Sequence, residues 1–192
     1  MDDVASGVYY YLNGLSDVLD VIGSFPADDP DNAGVPWIFV RNVYTRMEDV
    51  SIVKGSQAVA LVCCYMGQGS AASDSSTAFF QRLEVDIWVD PLRDAMGNVT
   101  SPSETENRGL QVFQVIDSHL HRVSADENVQ QWGDLITVSS TRMAAPVWYA
   151  VPDGDGLIRG VTFYNVGTFG NYDPTVQVGG GDTGGGSGGQ GT

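Results

Sequence analysis

The chain has 192 residues and a mass of 20.5 kDa, enough for one domain of ordinary size with room for an appendage. Nine Lys+Arg stand against 24 Asp+Glu, a formal charge of −15 and a pI near 4.1, which excludes gripping a nucleic-acid backbone over the whole surface. Only 17% of residues are charged, while 42% are hydrophobic and 10% aromatic, so the chain can build a core and is not intrinsically disordered.

From the N-terminus, residues 4–22 read as an amphipathic helix. Val8, Leu12, Leu15, Leu19 and Ile22 recur at spacings of four, three, four and three, which puts them on one stripe. Asp2 and Asp3 suit the positive end of its dipole, and Gly23 with Ser24 stops it. An acidic, turn-rich loop from Pro26 to Pro36 follows, then a short strand from Trp37 to Val40 and the approach to another at Val50–Val53. The run from Ala58 to Tyr65 is apolar without alternation, the pattern of a strand buried on both faces in mid-sheet.

The small polar residues from Gly67 to Ser76 then predict a long hairpin loop. The next strand alternates: Leu83, Val85, Ile87 and Val89 share one face, and Arg82, Glu84, Asp86, Trp88 and Asp90 the other. The second set is mostly acidic, so it is expected to face water or a wet channel. Ser101-Pro102-Ser103-Glu104 carries a Ser N-cap, Pro at the first helical position and Glu at the third, and opens a helix to about Val123. Gly109 within it costs about 1 kcal/mol relative to Ala, which points to close packing at that position.

The acidic stretch from Asp126 to Asp134 reads as a loop. Strands follow near Leu135–Thr141, Trp148–Val151 and Leu157–Val166, the last two joined by the turn Pro152-Asp153-Gly154-Asp155-Gly156. Nine of the last 14 residues are Gly. Residues 1–178 are therefore expected to form a single α+β domain, and 179–192 a flexible, disordered Gly-rich tail. The expected sheet is mixed or antiparallel, has five to six strands and is packed by two helices.

Cys63 and Cys64 are adjacent, so on a strand they point to opposite faces and do not pair; a reducing compartment suits both. The acidic N-terminus lacks the positive charge of a secretory signal, and no apolar run approaches a membrane span, so a cytoplasmic origin is expected.

Catalytic and metal motifs fail on context. Gly185-Gly-Ser187-Gly-Gly189 has the letters of a nucleophile elbow but no flanking strand. The only lysine, Lys54, lies in Ile-Val-Lys-Gly rather than in a phosphate-binding Gly-Lys-Ser/Thr. His119 and His121 diverge on a helix, as the two cysteines do on a strand, so no zinc set assembles. The acidic turns from Asp29 and from Asp153 lack the later ligands of a calcium loop. No enzyme and no cofactor follow from these residues. A small metal-binding module or hydrolase is the alternative from another class, tested by calcium or zinc calorimetry.

Sparse charge, eight tyrosines, four tryptophans and eight arginines instead suit a surface that partners cover. The order of elements carries a resemblance: an amphipathic helix; Val35-Pro-Trp-Ile-Phe-Val40; a hairpin ending in Arg82-Leu-Glu-Val-Asp-Ile-Trp-Val-Asp90; a capped helix with Gln111-Val-Phe-Gln-Val-Ile-Asp-Ser-His-Leu120; and a final strand ending at Val166. Over about residues 1–170 this resembles the tail terminator, or tail completion, proteins of long-tailed bacteriophages, especially those of actinobacterial hosts. The Gly-rich end and the 67–76 loop depart from that pattern.

The resemblance implies a virion assembly protein in the tail or neck. Six copies would form a ring on the last tube ring, stop its growth and meet the head connector, with DNA only as passing cargo. A connector stopper or a minor tube subunit is the alternative within phage structure. On this reading Arg41, Arg46, Gln68, Ser70, Asp74 and Arg93 are interface candidates, and Glu84, Asp86 and Asp90 are acids facing the lumen.

Overall fold

The computed structural model of the chain describes residues 4–42, 53–71, 78–121, 130–132 and 135–169. Its architecture is α+β. Two helical segments, α1 (Val4–Leu12) and the one-turn α2 (Ser16–Leu19), precede β1 (Ile38–Asn42), β2 (Val59–Ala71) and β3 (Ala78–Val89). Helix α3 (Pro102–Leu120) leads into β4 (Gln130–Trp132), β5 (Leu135–Arg142), β6 (Val147–Ala150) and β7 (Ile158–Phe169).

All seven strands belong to one mixed sheet in the order β1-β2-β3-β7-β5-β4, with β6 beside β5 on the same side of β7. Strand β1 runs parallel to β2; every other pairing is antiparallel. The sheet curves around α1, which packs against β1 near one margin and β4 near the other.

Sequence pattern explains most of these elements. The predicted first helix breaks after Leu12: Asn13 and Gly14 form a turn, and Leu15 is extended (φ −102°, ψ 116°). Both are weak helix formers, and the restart at Ser16 still sets Leu15, Val18 and Leu19 against the core. Helix α3 begins as its cap predicts, with Ser101 Oγ accepting from the Glu104 amide at 3.3 Å. It ends three residues short of the expected Val123, because His121 turns extended and its Nδ1 accepts the Arg142 amide at 3.0 Å.

Strand β2 continues to Ala71, through residues expected to be loop, by way of two register irregularities between Tyr65 and Ala71. Each lets the ladder resume opposite β3. Strand β4 lies inside the stretch expected to be an acidic loop. Three residues are too few to show a period, but Trp132 is fully buried and stacks on Tyr11 at 5.5 Å. The remainder of that stretch, Asp2 and Asp3, Val50, and the Gly-rich tail lie outside the described residues.

The main core fills the face of the sheet under the helices. Leu61 and Cys63 of β2, Leu83, Val85 and Ile87 of β3, and Tyr164 and Val166 of β7 meet Val4, Val8 and Leu12 of α1 and Phe113, Ile116 and Leu120 of α3. The opposite face carries a second buried cluster: Trp37, Phe39, Val53, Ala60, Val62, Cys64, Trp88 and Leu157. From Val59 to Cys64 strand β2 is therefore buried on both faces, as its unbroken apolar run predicts.

Trp148 of β6 clamps α3 to the sheet. Its ring lies over Gly160 of β7 and against Gly109 of α3, so a Cβ at Gly160 would come within 2.4 Å of it and one at Gly109 within 2.5 Å. The close packing expected at Gly109 is thus with an indole that has a second bare backbone beneath it. Gly109→Ala and Gly160→Ala should each lower stability by about 1–3 kcal/mol despite the better helix propensity of alanine at the first site. Denaturant unfolding measures the loss, and a Gly109→Ala protein as stable as the parent would mean that the ring moves aside freely.

Candidate functional site

The acidic row of β3 was expected to be wet. It is buried instead. Glu84 is 4% exposed, and Asp86 and Asp90 are fully enclosed. They share their face with Trp88, which is also buried, because the loops bearing Trp37, Val53 and Leu157 cover that side of the sheet. This corrects the assignment of Glu84, Asp86 and Asp90 as lumen acids: alternation located their face correctly, but a second apolar cluster closes it to water.

Carboxylates in such a setting need partners. Strand pairing sets Glu84 opposite Phe163, Asp86 opposite Val161 and Trp88 opposite Arg159, so the Arg159 side chain rises on the acidic face. Its Nη2 lies 2.9 Å from Glu84 Oε1 and 2.7 Å from Asp86 Oδ2, and its Nε donates to Asp86 Oδ2 at 2.9 Å. The guanidinium also sits over the Trp88 ring, 5.5 Å from its centroid. One cation serves two buried acids.

Cys64 belongs to the same cluster: its sulfur and one oxygen each of Glu84 and Asp86 lie within 4.8 Å of one another. That donor set is chemically able to take a soft divalent metal. However, the two carboxylates already face a protein cation, so the group is described as a buried ion triad. Cys63 points to the opposite face, into the main core, where burial pushes its thiol pKa far upward and leaves it a poor nucleophile.

Asp90 has a separate task. Its Oδ2 accepts the amide of Gln57 at 2.7 Å and so holds that residue in a left-handed conformation (φ 57°). Arg108 of α3 donates to the carbonyls of Asp90 (2.9 Å) and Gln57 (2.8 Å), while Gln57 Oε1 accepts the Arg93 amide at 3.0 Å. Arg93, expected at an interface, is turned inward: it pairs with Asp155 Oδ2 at 3.0 Å and donates to the carbonyls of Asp155 and Gly97. Lys54 likewise donates to the Asp153 carbonyl at 2.8 Å. The Asp153 turn, with Asp153 and Asp155 both at positive φ, is therefore held from two sides by cations.

The remaining interface candidates divide. Arg41 lies on β1, the outer strand of the sheet; its Nη1 donates to the Val40 carbonyl at 2.9 Å and its guanidinium stands over Phe39. Gln68 and Ser70 belong to the irregular end of β2. Arg46 and Asp74 lie outside the described residues.

Two polar links tie the helices to each other and to the sheet. Asp117 of α3 pairs with Arg142 of β5 and accepts the Tyr164 hydroxyl at 3.0 Å. His119 Nε2 meets Asp17 Oδ2 at 2.7 Å, joining α3 to α2. The imidazole holds the Asp17 carboxyl below its ordinary pKa.

Sequence reading passed over Arg159, the residue that organises the acidic row. A signal existed, since one arginine in an apolar strand next to an acidic one marks a cross-strand ion pair, but the pairing of β3 with β7 had to be known first. Glu106 and Tyr149, which line a groove beside β6, carry no motif at all. Among the described residues no helix is long and apolar enough to cross a membrane. Compared with models of known protein families and with characterised proteins, the chain shows no match.

Two outcomes follow. Arg159→Met, which removes the cation that both buried carboxylates share, should cost about 3–5 kcal/mol, and adding Glu84→Met and Asp86→Leu should recover most of it; urea unfolding of the single and triple variants compares them. Because the folded state lowers the Asp17 pKa, the link to His119 stabilises the fold above the unfolded carboxyl value of about 3.9 and is lost as pH falls through the lower folded value. Melting curves between about pH 2 and pH 6 should therefore show a shallower acid limb in Asp17→Asn than in the parent.

Proposed function

We propose that the chain is a ring-forming assembly protein that completes a bacteriophage tail: copies close head to tail, cap the tube, stop its growth and offer their other face to the head connector. The observation that supports this reading best is a sheet ending in two open margins of different kinds. Among the described residues β1 pairs only with β2, and on the far side β4 pairs only with β5 and β6 only with β7. A strand at the end of a sheet is a template for pairing with another strand, which a lone domain ordinarily shields. A contact between unlike edges is heterologous, and such a contact yields either a closed ring or a filament.

Composition agrees. Charged residues are scarce at 17%, as in surfaces covered by partners, and exposed Tyr10, Val35, Val147 and Tyr149 lie on or beside the two open strands. The resemblance in the order of elements supplies the tail and the sixfold count; the open margins supply a physical route to any ring.

Sedimentation or native mass spectrometry of the full chain should give one closed species of fixed copy number across a concentration series. Antibody-labelled micrographs of virions should then find it at the head-proximal end of the tail. Open-ended filaments would reassign the chain to the tube itself, and a monomer at every concentration would remove the assembly reading.

A further inference from the structure

From Met143 to Pro152 the chain runs ten residues without a charge, on a molecule that carries −15 overall. All ten are apolar and seven of them are exposed, with Met143, Val147 and Tyr149 about half open to solvent. Exposed apolar surface of this kind marks a contact site. Strand β6 lies at the centre of the run, and a groove of about 240 Å³ opens beside it, against Pro102, Thr105, Trp148 and Ala150.

We propose that β6 pairs with β6 of a second copy about a two-fold axis at Tyr149, joining two sheets edge to edge. The contact uses this edge alone. It stands independently of the ring reading, whose contact between unlike edges then falls to β1 and β4.

The ladder with β7 decides which backbone groups face outward. The Val151 amide donates to the Leu157 carbonyl at 3.0 Å, and antiparallel bonding alternates from there, so Tyr149 and Val147 also turn their amides and carbonyls to β7. Those of Trp148 and Ala150 point the other way, out of the edge. Among the described residues, no backbone bond outside the ladders involves either of them. Between Pro146 and Pro152 no lysine, bulge or inward charge blunts this edge.

The strand reads nearly the same in both directions. Pro146-Val147-Trp148-Tyr149-Ala150-Val151-Pro152 has Tyr149 at its middle, a valine two residues to each side and a proline three. A two-fold axis at Tyr149 makes the strands antiparallel and sets Trp148 of each copy opposite Ala150 of the other. Each such pair exchanges two backbone hydrogen bonds. Val147 then meets Val151, Pro146 meets Pro152, and Tyr149 meets its own counterpart in a close, non-hydrogen-bonded pair where aromatic rings add cross-strand contact.

Other registers are poorer. An axis at Trp148 would put Ala150 opposite Pro146, and one at Ala150 would put Trp148 opposite Pro152. Proline returns no amide, so the register about Tyr149 is the one that serves both outward residues. Because the run holds no charge, it brings no like charges together at the axis.

Sedimentation of the parent, Tyr149→Asp and Ala150→Pro across a concentration series tests this contact, with circular dichroism to verify folding. The first variant sets two carboxylates against each other at the axis, and the second removes an amide that the ladder with β7 does not use. Each should weaken association by about tenfold or more. Independently, Tyr149→Cys should oxidise to a linked pair of copies about tenfold faster than Val147→Cys, which faces valine rather than itself. Cys63 and Cys64 are buried and stay out of that reaction. A parent of two copies that the variants reduce to one would support this contact and overturn the ring reading. A larger closed species that the variants halve would support both. An oligomer whose mass is indifferent to both variants, or in which Tyr149→Cys links no faster than Val147→Cys, would overturn this contact and leave a ring in place. A parent that is monomeric throughout would overturn both.

Discussion

One guanidinium permits the middle of this sheet to exist. From Leu83 to Val89 strand β3 is buried on both faces, yet it carries Glu84 and Asp86 in the row that turns away from the helices. Ionised carboxylates removed from water lose several kcal/mol of solvation each, and Arg159, held at the right height by the β3–β7 ladder, reaches both. The same side chain lies across Trp88, so ion pairing and apolar packing on that face share one residue. A cluster of this kind adds little net stability over an apolar core of equal volume. Its consequence is positional: Arg159 reaches both acids only in the native pairing of β3 with β7, and a slip of one residue would carry them into the helix-side core.

Most of the chain's few cations are likewise committed to partners within the chain. Lys54 and Arg93 hold the Asp153 turn, Arg108 ties α3 to the Gln57 turn, Arg142 pairs with Asp117, and Arg159 serves the acidic row. With these five of nine basic residues engaged by groups of the same chain, the outward field is dominated by acids. Copies of such a molecule repel one another at long range, so any association has to work through short-range backbone pairing and aromatic contact. The two open margins offer those terms, since each is poor in charge and bordered by tyrosine.

The clamp formed by Trp148 connects the core to this margin. Strand β6 has four residues and one strand neighbour, too little to stay in place by itself, but its indole is fixed between Gly109 and Gly160. Loss of the clamp is expected to loosen the margin before it unfolds the domain.

Much of the architecture was legible in the residues themselves. The cap at Ser101 fixes the start of α3, the unbroken run from Ala58 marks β2 as central, and strict alternation divides β3 into two faces, because each of these signals is carried by neighbours in the chain. Gly109 announced close packing without revealing that Trp148, 39 positions later in the chain, fills the space. What neighbours in sequence cannot specify is which distant segment covers a face. Glu84, Asp86 and Asp90 looked like a wet row until the loops at Trp37, Val53 and Leu157 closed over it. Arg93 looked like a surface residue until Asp155 came within reach. Only the order of strands decided that β1 ends the described sheet on one side and β4 on the other, with β6 beside β5, since an edge is a property of pairing, and pairing joins residues far apart along the chain.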